Sequence, residues 1–179
     1  MDQLVVDRTQ TTREETGKKT KRLAMVASKG TLDMAYPPLI LATTAAAMGW
    51  EVGIFFTFYG LDLLHRQRVK QLKVSPVGNP AMPPPVRSLP VKVPDILGAL
   101  PGMSAVATAI MKRWMRASHM PTVEELLELA RESGVKLFAC ATTMGVMGVR
   151  QEDLVDGAEC AGATTFLDFA SEADVTLFV

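Results

Sequence analysis

Leu23-Ala-Met-Val-Ala-Ser28 and Trp50-Glu-Val-Gly-Ile-Phe-Phe-Thr-Phe58 are two short apolar runs separated by one helix-length segment, and their reading decides the fold. A continuous apolar run is the pattern of a strand buried on both faces, as in parallel sheets. The second run is β-branched and aromatic, and such residues pack well on a pleated surface. Between them, Asp33 is placed to cap a helix running through Tyr36 to Met48 and ending at Gly49, provided that Pro37 and Pro38 lie in its first turn. Strand, helix and strand in that order predict a right-handed βαβ unit.

Working outward, Val135-Lys-Leu-Phe-Ala-Cys140 reads as a third strand of the same kind, and Val175 to Val179 as a last strand ending inside the sheet. Pro121-Thr122-Val-Glu-Glu125 is the clearest helix start: Thr122 caps and Glu125 completes a capping box. Val123, Leu126, Leu127 and Ala130 then fall at helical spacing, and Gly134 stops the helix. Tyr59-Gly60 turns into a short helix over Leu61 to Arg68. Glu152 to Val155 reads as a short helical piece, Ala158 to Cys160 as a brief extended link, and Gly162 to Ala170 as a helix. The alternation predicts a single α/β domain, a doubly wound parallel sheet with helices on both faces.

Two segments fall outside that pattern. Residues 1–21 alternate charged and polar groups without an apolar run, which predicts a mobile charged tail and no secretory leader. From Val74 to Pro101 the prolines at 76, 80, 83, 84, 85, 90, 94 and 101 exclude a regular core element. Residues 74–120 are therefore expected to form a Pro- and Met-rich insertion within a domain spanning 22–179. Met103 to Met115 is apolar and Met-rich enough for a helix lying over a pocket or against a partner. The segment Ile96 to Met111 is shorter than the ~20 residues a spanning helix needs and carries Pro101 and Gly102, which leaves only a peripheral membrane contact open.

Composition narrows the function. The 179 residues suit one domain, and 19 Lys+Arg against 19 Asp+Glu give none of the basic excess of a nucleic-acid binder. The basic group Arg66, Arg68, Lys70 and Lys73 reads as a solvated face. Two cysteines, Cys140 and Cys160, fit a reducing, cytoplasmic home in which disulfides are not needed. With 19 residues between them, they match neither a CxxC redox motif nor a zinc spacing, and no disulfide between them is expected. His65 and His119 stand in separate segments, so no metal site and no cofactor are expected. His119 at the end of the insertion remains a candidate partner for Cys140.

In doubly wound sheets ligands bind at the carboxyl ends of the strands, which here are Ser28 to Thr31, Phe58 to Gly60 and Cys140 to Gly145. Cys140 is placed where a strand gives way to a helix, and unpaired N–H groups at a helix start favour a thiolate. Ala141 to Gly145 is expected as a loop, with Thr142 or Thr143 capping the next turn and with Met144 and Gly145 at the site. A partly accessible Cys140 follows from this placement. Ser28-Lys29-Gly30-Thr31 lacks the glycines that wrap a phosphate and reads as a turn beside the cysteine; Tyr59 and Gly60 line the same edge.

The stretch Cys140-Ala-Thr-Thr-Met144-Gly145-Val-Met147-Gly148-Val149, followed by Glu152-Asp153-Leu154 and Asp156-Gly157, resembles the longer, peroxiredoxin-like branch of the DsrE/DsrF/DsrH family. Ser28-Lys29-Gly30 with Asp33, the Phe55 to Gly60 strand end and the Pro-rich insertion ending in Met103 resemble it in the same order. The resemblance implies a DsrE-like, flavodoxin-like sheet, a homo-oligomer, and a cysteine at position 140 that carries sulfane sulfur as a persulfide or thiosulfonate. It further implies exchange with a TusA-like carrier or a rhodanese. Cys160 stands where that branch is expected to carry another residue, so no family role transfers to it. Peroxidase activity is not implied, because no peroxidase cysteine motif is present. The competing reading is an oligomeric binding or scaffold subunit in which Cys140 only packs.

Overall fold

The computed structural model describes residues 20–75 and 101–179. The strands are β1 (Arg22–Ala27), β2 (Glu51–Phe56), β3 (Lys136–Cys140), β4 (Ala158–Ala161) and β5 (Val175–Phe178). All pairings are parallel, in the order β4-β3-β2-β1-β5. The helices are α1 (Leu32–Ala47), α2 (Met103–Ala117), α3 (Val123–Glu132), α4 (Ala141–Met147) and α5 (Ala163–Ser171).

Strand alternation sorts the core into two layers. Leu23, Met25, Ala27, Val52, Ile54, Phe56, Leu137 and Ala139 share one core with the buried side chains of α1 and α3. Ala24, Phe55, Phe138, Cys140 and Ala161 face the other way, onto Phe166 and Phe169 of α5. Phe55 stacks on Phe166 with ring centroids 4.9 Å apart, and Phe138 meets Phe169 at 5.7 Å. Gly53 makes room for this layer, since a Cβ there would lie 2.5 Å from the Phe169 ring. The expected doubly wound sheet covered on both faces is the observed one.

The capping box forms as read: Glu125 N–H donates to Thr122 Oγ1 (3.2 Å) and Thr122 N–H to Glu125 Oε2 (2.7 Å). Other local expectations are corrected. Asp33 does not cap α1, whose N-cap is Thr31, and Pro37 and Pro38 lie inside the helix, past its first turn. Residues 61–68 form no α-helix; a 3-10 turn, Phe58–Leu63, is followed by an antiparallel bridge between His65 and Leu154. Backbone bonds from Arg66 N to Asp153 O (3.0 Å) and from Val155 N to Leu64 O (2.8 Å) hold this segment against the chain before β4. The basic group there is partly ion-paired, Arg66 with Asp156 and Arg68 with Asp62. The link at Ala158 to Cys160 is a full edge strand. β5 is the other edge, pairing with β1, and leaves Phe178 77% exposed, because α5 packs over the β2 and β3 side chains.

The mobile tail over residues 1–21 and the Pro-rich stretch fall, except for 20–21, 74–75 and 101, outside the described residues. The Met-rich helix is present as α2, with Ala107 and Thr108 buried and Lys112, Arg113 and Arg116 exposed. No helix among the described residues is long and apolar enough to cross a membrane.

Candidate functional site

The carboxyl ends of β1, β2 and β3 bring Ser28 to Gly30, Thr57 to Gly60 and Cys140 to Gly145 to one edge of the sheet. Two glycines permit the approach. A Cβ on Gly60 would lie 2.1 Å from the Ala27 carbonyl oxygen, and one on Gly30 would lie 2.3 Å from that of Tyr59. Their role is backbone contact, so the turn after β1 is packed against the end of β2. Ser28 directs both its N–H (2.9 Å) and its hydroxyl (3.3 Å) to the Val179 carbonyl, which ties it to β5, while Lys29 is exposed.

Cys140 itself is the N-cap residue of α4, with φ −63° and ψ 112°. This corrects the expected loop: the helix starts at Ala141, and neither Thr142 nor Thr143 caps it. The reason is geometric, because Thr143 turns inward. It is buried, its Oγ1 accepts from Phe58 N–H at 3.1 Å, and it lies 3.1 Å from Thr57 Oγ1. Met144 is buried in the α1 and α3 layer, whereas Thr142 and Gly145 are exposed.

Cys140 is a buried residue, 8% exposed, which corrects the partial accessibility expected from its placement at the strand end. Burial is the largest influence on its pKa and pushes it up. The Thr143 hydroxyl and N–H, the Thr57 hydroxyl and the Thr142 N–H oppose it and win, so the thiol lies below its ordinary value. The balance favours the thiolate, the reactive form. His119 is exposed, two residues beyond the end of α2, with φ 52°.

Phe58 carries the local strain. Its φ of 47° is left-handed, where a side chain costs about 1–3 kcal/mol. That conformation turns its N–H to Thr143 while its ring is 68% exposed, as is that of Tyr59. Thr57 is the residue that sequence reasoning missed. Within its own segment it is only one more β-branched residue at a strand end, and its meeting with Thr143 spans 86 positions.

Cys160 lies elsewhere. In the β3–β4 register Cys140 is opposite Ala161 and Cys160 opposite Ala139. Paired residues share a face, so the two thiols project to opposite faces of the sheet, and both are free. Among the described residues no group of three His, Cys, Asp or Glu side chains is placed to hold a metal ion.

The sequence profile described as the DsrE/DsrF/DrsH-like family matches residues 19–178. The sulfur carrier protein DsrE2 of Allochromatium vinosum is 46% identical over 159 residues, covering 89% of this chain and 98% of that protein. The uncharacterized protein YrkE of Bacillus subtilis is 32% identical over 164 residues, 90% of this chain and 98% of its own length. The crystal structure of the ychN protein from E. coli superposes with a TM-score of 0.54 at 12% identity, covering 89% of this chain and all of that one; it shows the fold alone.

Proposed function

The chain belongs to the DsrE/DsrF/DrsH-like family, and from that premise we propose that it is a sulfur-relay protein carrying sulfane sulfur on Cys140. The observation that carries the reading is the place of Cys140, at the carboxyl edge of the sheet where β3 ends and α4 begins, three residues before the buried Thr143. The thiolate attacks the outer sulfur of a donor persulfide. A bond forms between the Cys140 sulfur and that outer sulfur, the donor's S–S bond breaks, and the donor leaves as a thiolate. Delivery is the same exchange in reverse, with an acceptor thiolate attacking the outer sulfur and Cys140 departing as thiolate.

The exchange partner is a TusA-like carrier or a rhodanese. Exposed Phe58 and Tyr59, next to the thiol in the fold, give such a protein an apolar place to dock. The chain works as a homo-oligomer in the cytoplasm, with the exposed edge strand β5 meeting another copy. The test is transfer between purified proteins. Incubated with a persulfidated rhodanese, this protein should gain sulfur, and a TusA-like carrier added next should remove it. If no sulfur arrives from any persulfide donor, relay is contradicted and the cysteine has a packing role only.

A further inference from the structure

The Met-rich helix α2 takes no part in the edge at Cys140, and its packing leaves a gap. Its first half is anchored: Thr108 Oγ1 accepts from Val74 N–H at 2.9 Å and donates to the Ser104 carbonyl at 2.6 Å. Its second half is only partly buried, with Met111, Met115 and, beyond the helix, Met120 resting against the core of α1 and α3. Between this half, the start of α1, the start of α3 and Val69 lies a cavity of about 240 Å³. Leu32, Val69, Met115, Met120 and Val123 make its apolar walls, while Tyr36, Lys112 and Arg116 bring hydrogen-bond donors. Tyr36 is 6% exposed, and its hydroxyl has no hydrogen-bond partner among the described residues. The one side-chain oxygen or nitrogen shut away there without a partner is Asp33 Oδ1, so the Tyr36 oxygen opens onto the space its ring lines. A hydroxyl so placed and unpaired points to a partner supplied from solution. Lys112 and Arg116, one helical turn apart and exposed, are in no ion pair among the described residues.

We propose that this cavity binds a small organic carboxylate with a short apolar chain, its head held by Lys112, Arg116 and the Tyr36 hydroxyl and its chain lying against Met115, Met120 and Val123. Ammonium and guanidinium groups only donate, and a carboxylate only accepts, on two oxygens that match the guanidinium fork. Burial, with Glu124 and Glu125, raises the Tyr36 pKa, so the phenol keeps its proton and donates as well. A cationic ligand would instead meet two like charges. Glu124 is the one acidic residue among the described residues of the lining, and it also faces an adjoining cavity with Arg66, Lys70 and Arg131, whose charges offset its own. The apolar walls call for more than an inorganic anion, and unbranched methionines adapt to a chain laid between them. The volume lies below the ~300–1,000 Å³ of sites for larger ligands, so the molecule is small. None of the lining residues belongs to the edge at Cys140, and the proposal stands apart from the relay reading.

The test is a nuclear magnetic resonance titration of the full chain, labelled at its methionine methyl groups, with sodium hexanoate. Acetate supplies the head alone and hexanol the chain alone. Hexanoate should give saturable shifts at Met115 and Met120 and leave Met25, deep in the sheet, unmoved. Acetate and hexanol should each bind about tenfold more weakly or worse, because each makes only part of the contact. Tyr36→Phe keeps the ring and should weaken hexanoate about fivefold. Lys112→Gln combined with Arg116→Gln, at exposed positions, should weaken it about tenfold or more, and this pair decides the matter should Tyr36→Phe not fold. Hexanoate that moves neither methionine, that binds no better than acetate or hexanol, or that keeps its parent affinity in the folded variants overturns the proposal.

Discussion

The two ends of the sheet are held by different chemistry. At the amino end Glu51 bridges the strands on either side, its carboxylate 2.7 Å from Arg22 and 2.8 Å from Lys136. Arg22 also reaches Glu172 at 2.8 Å, beyond α5. At the carboxyl end, where Cys140 lies, the hold comes from a threonine hydroxyl pair, two close glycine–backbone contacts and a left-handed phenylalanine. Charges at the amino end tie strands together while staying in touch with water. The carboxyl end gives up ease of folding for placement: close backbone contact and local strain bring the Phe58 N–H and the Thr57 hydroxyl onto Thr143.

That contrast can be broken first at Gly60. Gly60→Ala sets a Cβ 2.1 Å from the backbone of Ala27, with backbone on both sides of the clash, and should cost about 3 kcal/mol or more in chemical denaturation. Gly145→Ala is its control at the same edge. A Cβ there meets nothing within 4 Å and lies in a helix, so stability should rise by about 0.5–1 kcal/mol. Equal effects at the two glycines would mean that the approach of β2 to β1 is not tight.

The amino end should give a smaller effect, with a pH signature. The Lys136 hydrogen bond, with help from Arg22 and against the effect of burial, holds the Glu51 carboxyl below its ordinary value of 4.5. A depressed carboxylate pKa contributes stability that is fully present above about pH 4.5 and is lost as the pH falls through the lower folded value. Glu51→Gln should therefore cost about 1 kcal/mol at neutral pH, solvent screening included, and nothing at the acid extreme. A pH-independent difference would assign the loss to packing.

The least change in stability is expected at β5. Phe178→Asp, at a ring 77% exposed, should alter the stability of the fold by no more than about 0.5 kcal/mol. In sedimentation at micromolar concentration it should dissociate the oligomer. A monomeric parent protein would contradict assembly, and an undisturbed oligomer would place the interface away from this edge.

Much of this architecture is legible in local pattern. The apolar runs became β1, β2 and β3 because strands covered on both faces must be apolar throughout, and Thr122 with Glu125 made its cap because all the needed groups lie within one turn. Cys140 was legible as a strand end before a helix. What was not legible depends on distant partners. Leu61 to Arg68 has the composition of a helix, but pairing with Asp153 and Val155 draws it into 3-10 turns. Thr143 reads as a cap in its own segment and is claimed instead by Thr57 and Phe58 across the sheet edge. The contacts at this edge were therefore half hidden, since nothing near Thr57 in the chain points to Thr143.

The central claim is that Cys140, and not Cys160, carries the sulfur. The most direct measurement is intact mass after incubation with a persulfide donor, comparing Cys140→Ser and Cys160→Ser with the parent protein. Each sulfur held as a persulfide adds about 32 Da, and a serine hydroxyl cannot hold it. Cys160→Ser should load as the parent does, and Cys140→Ser should stay at its unloaded mass while remaining folded. Loading that survives in Cys140→Ser and vanishes in Cys160→Ser would contradict the account.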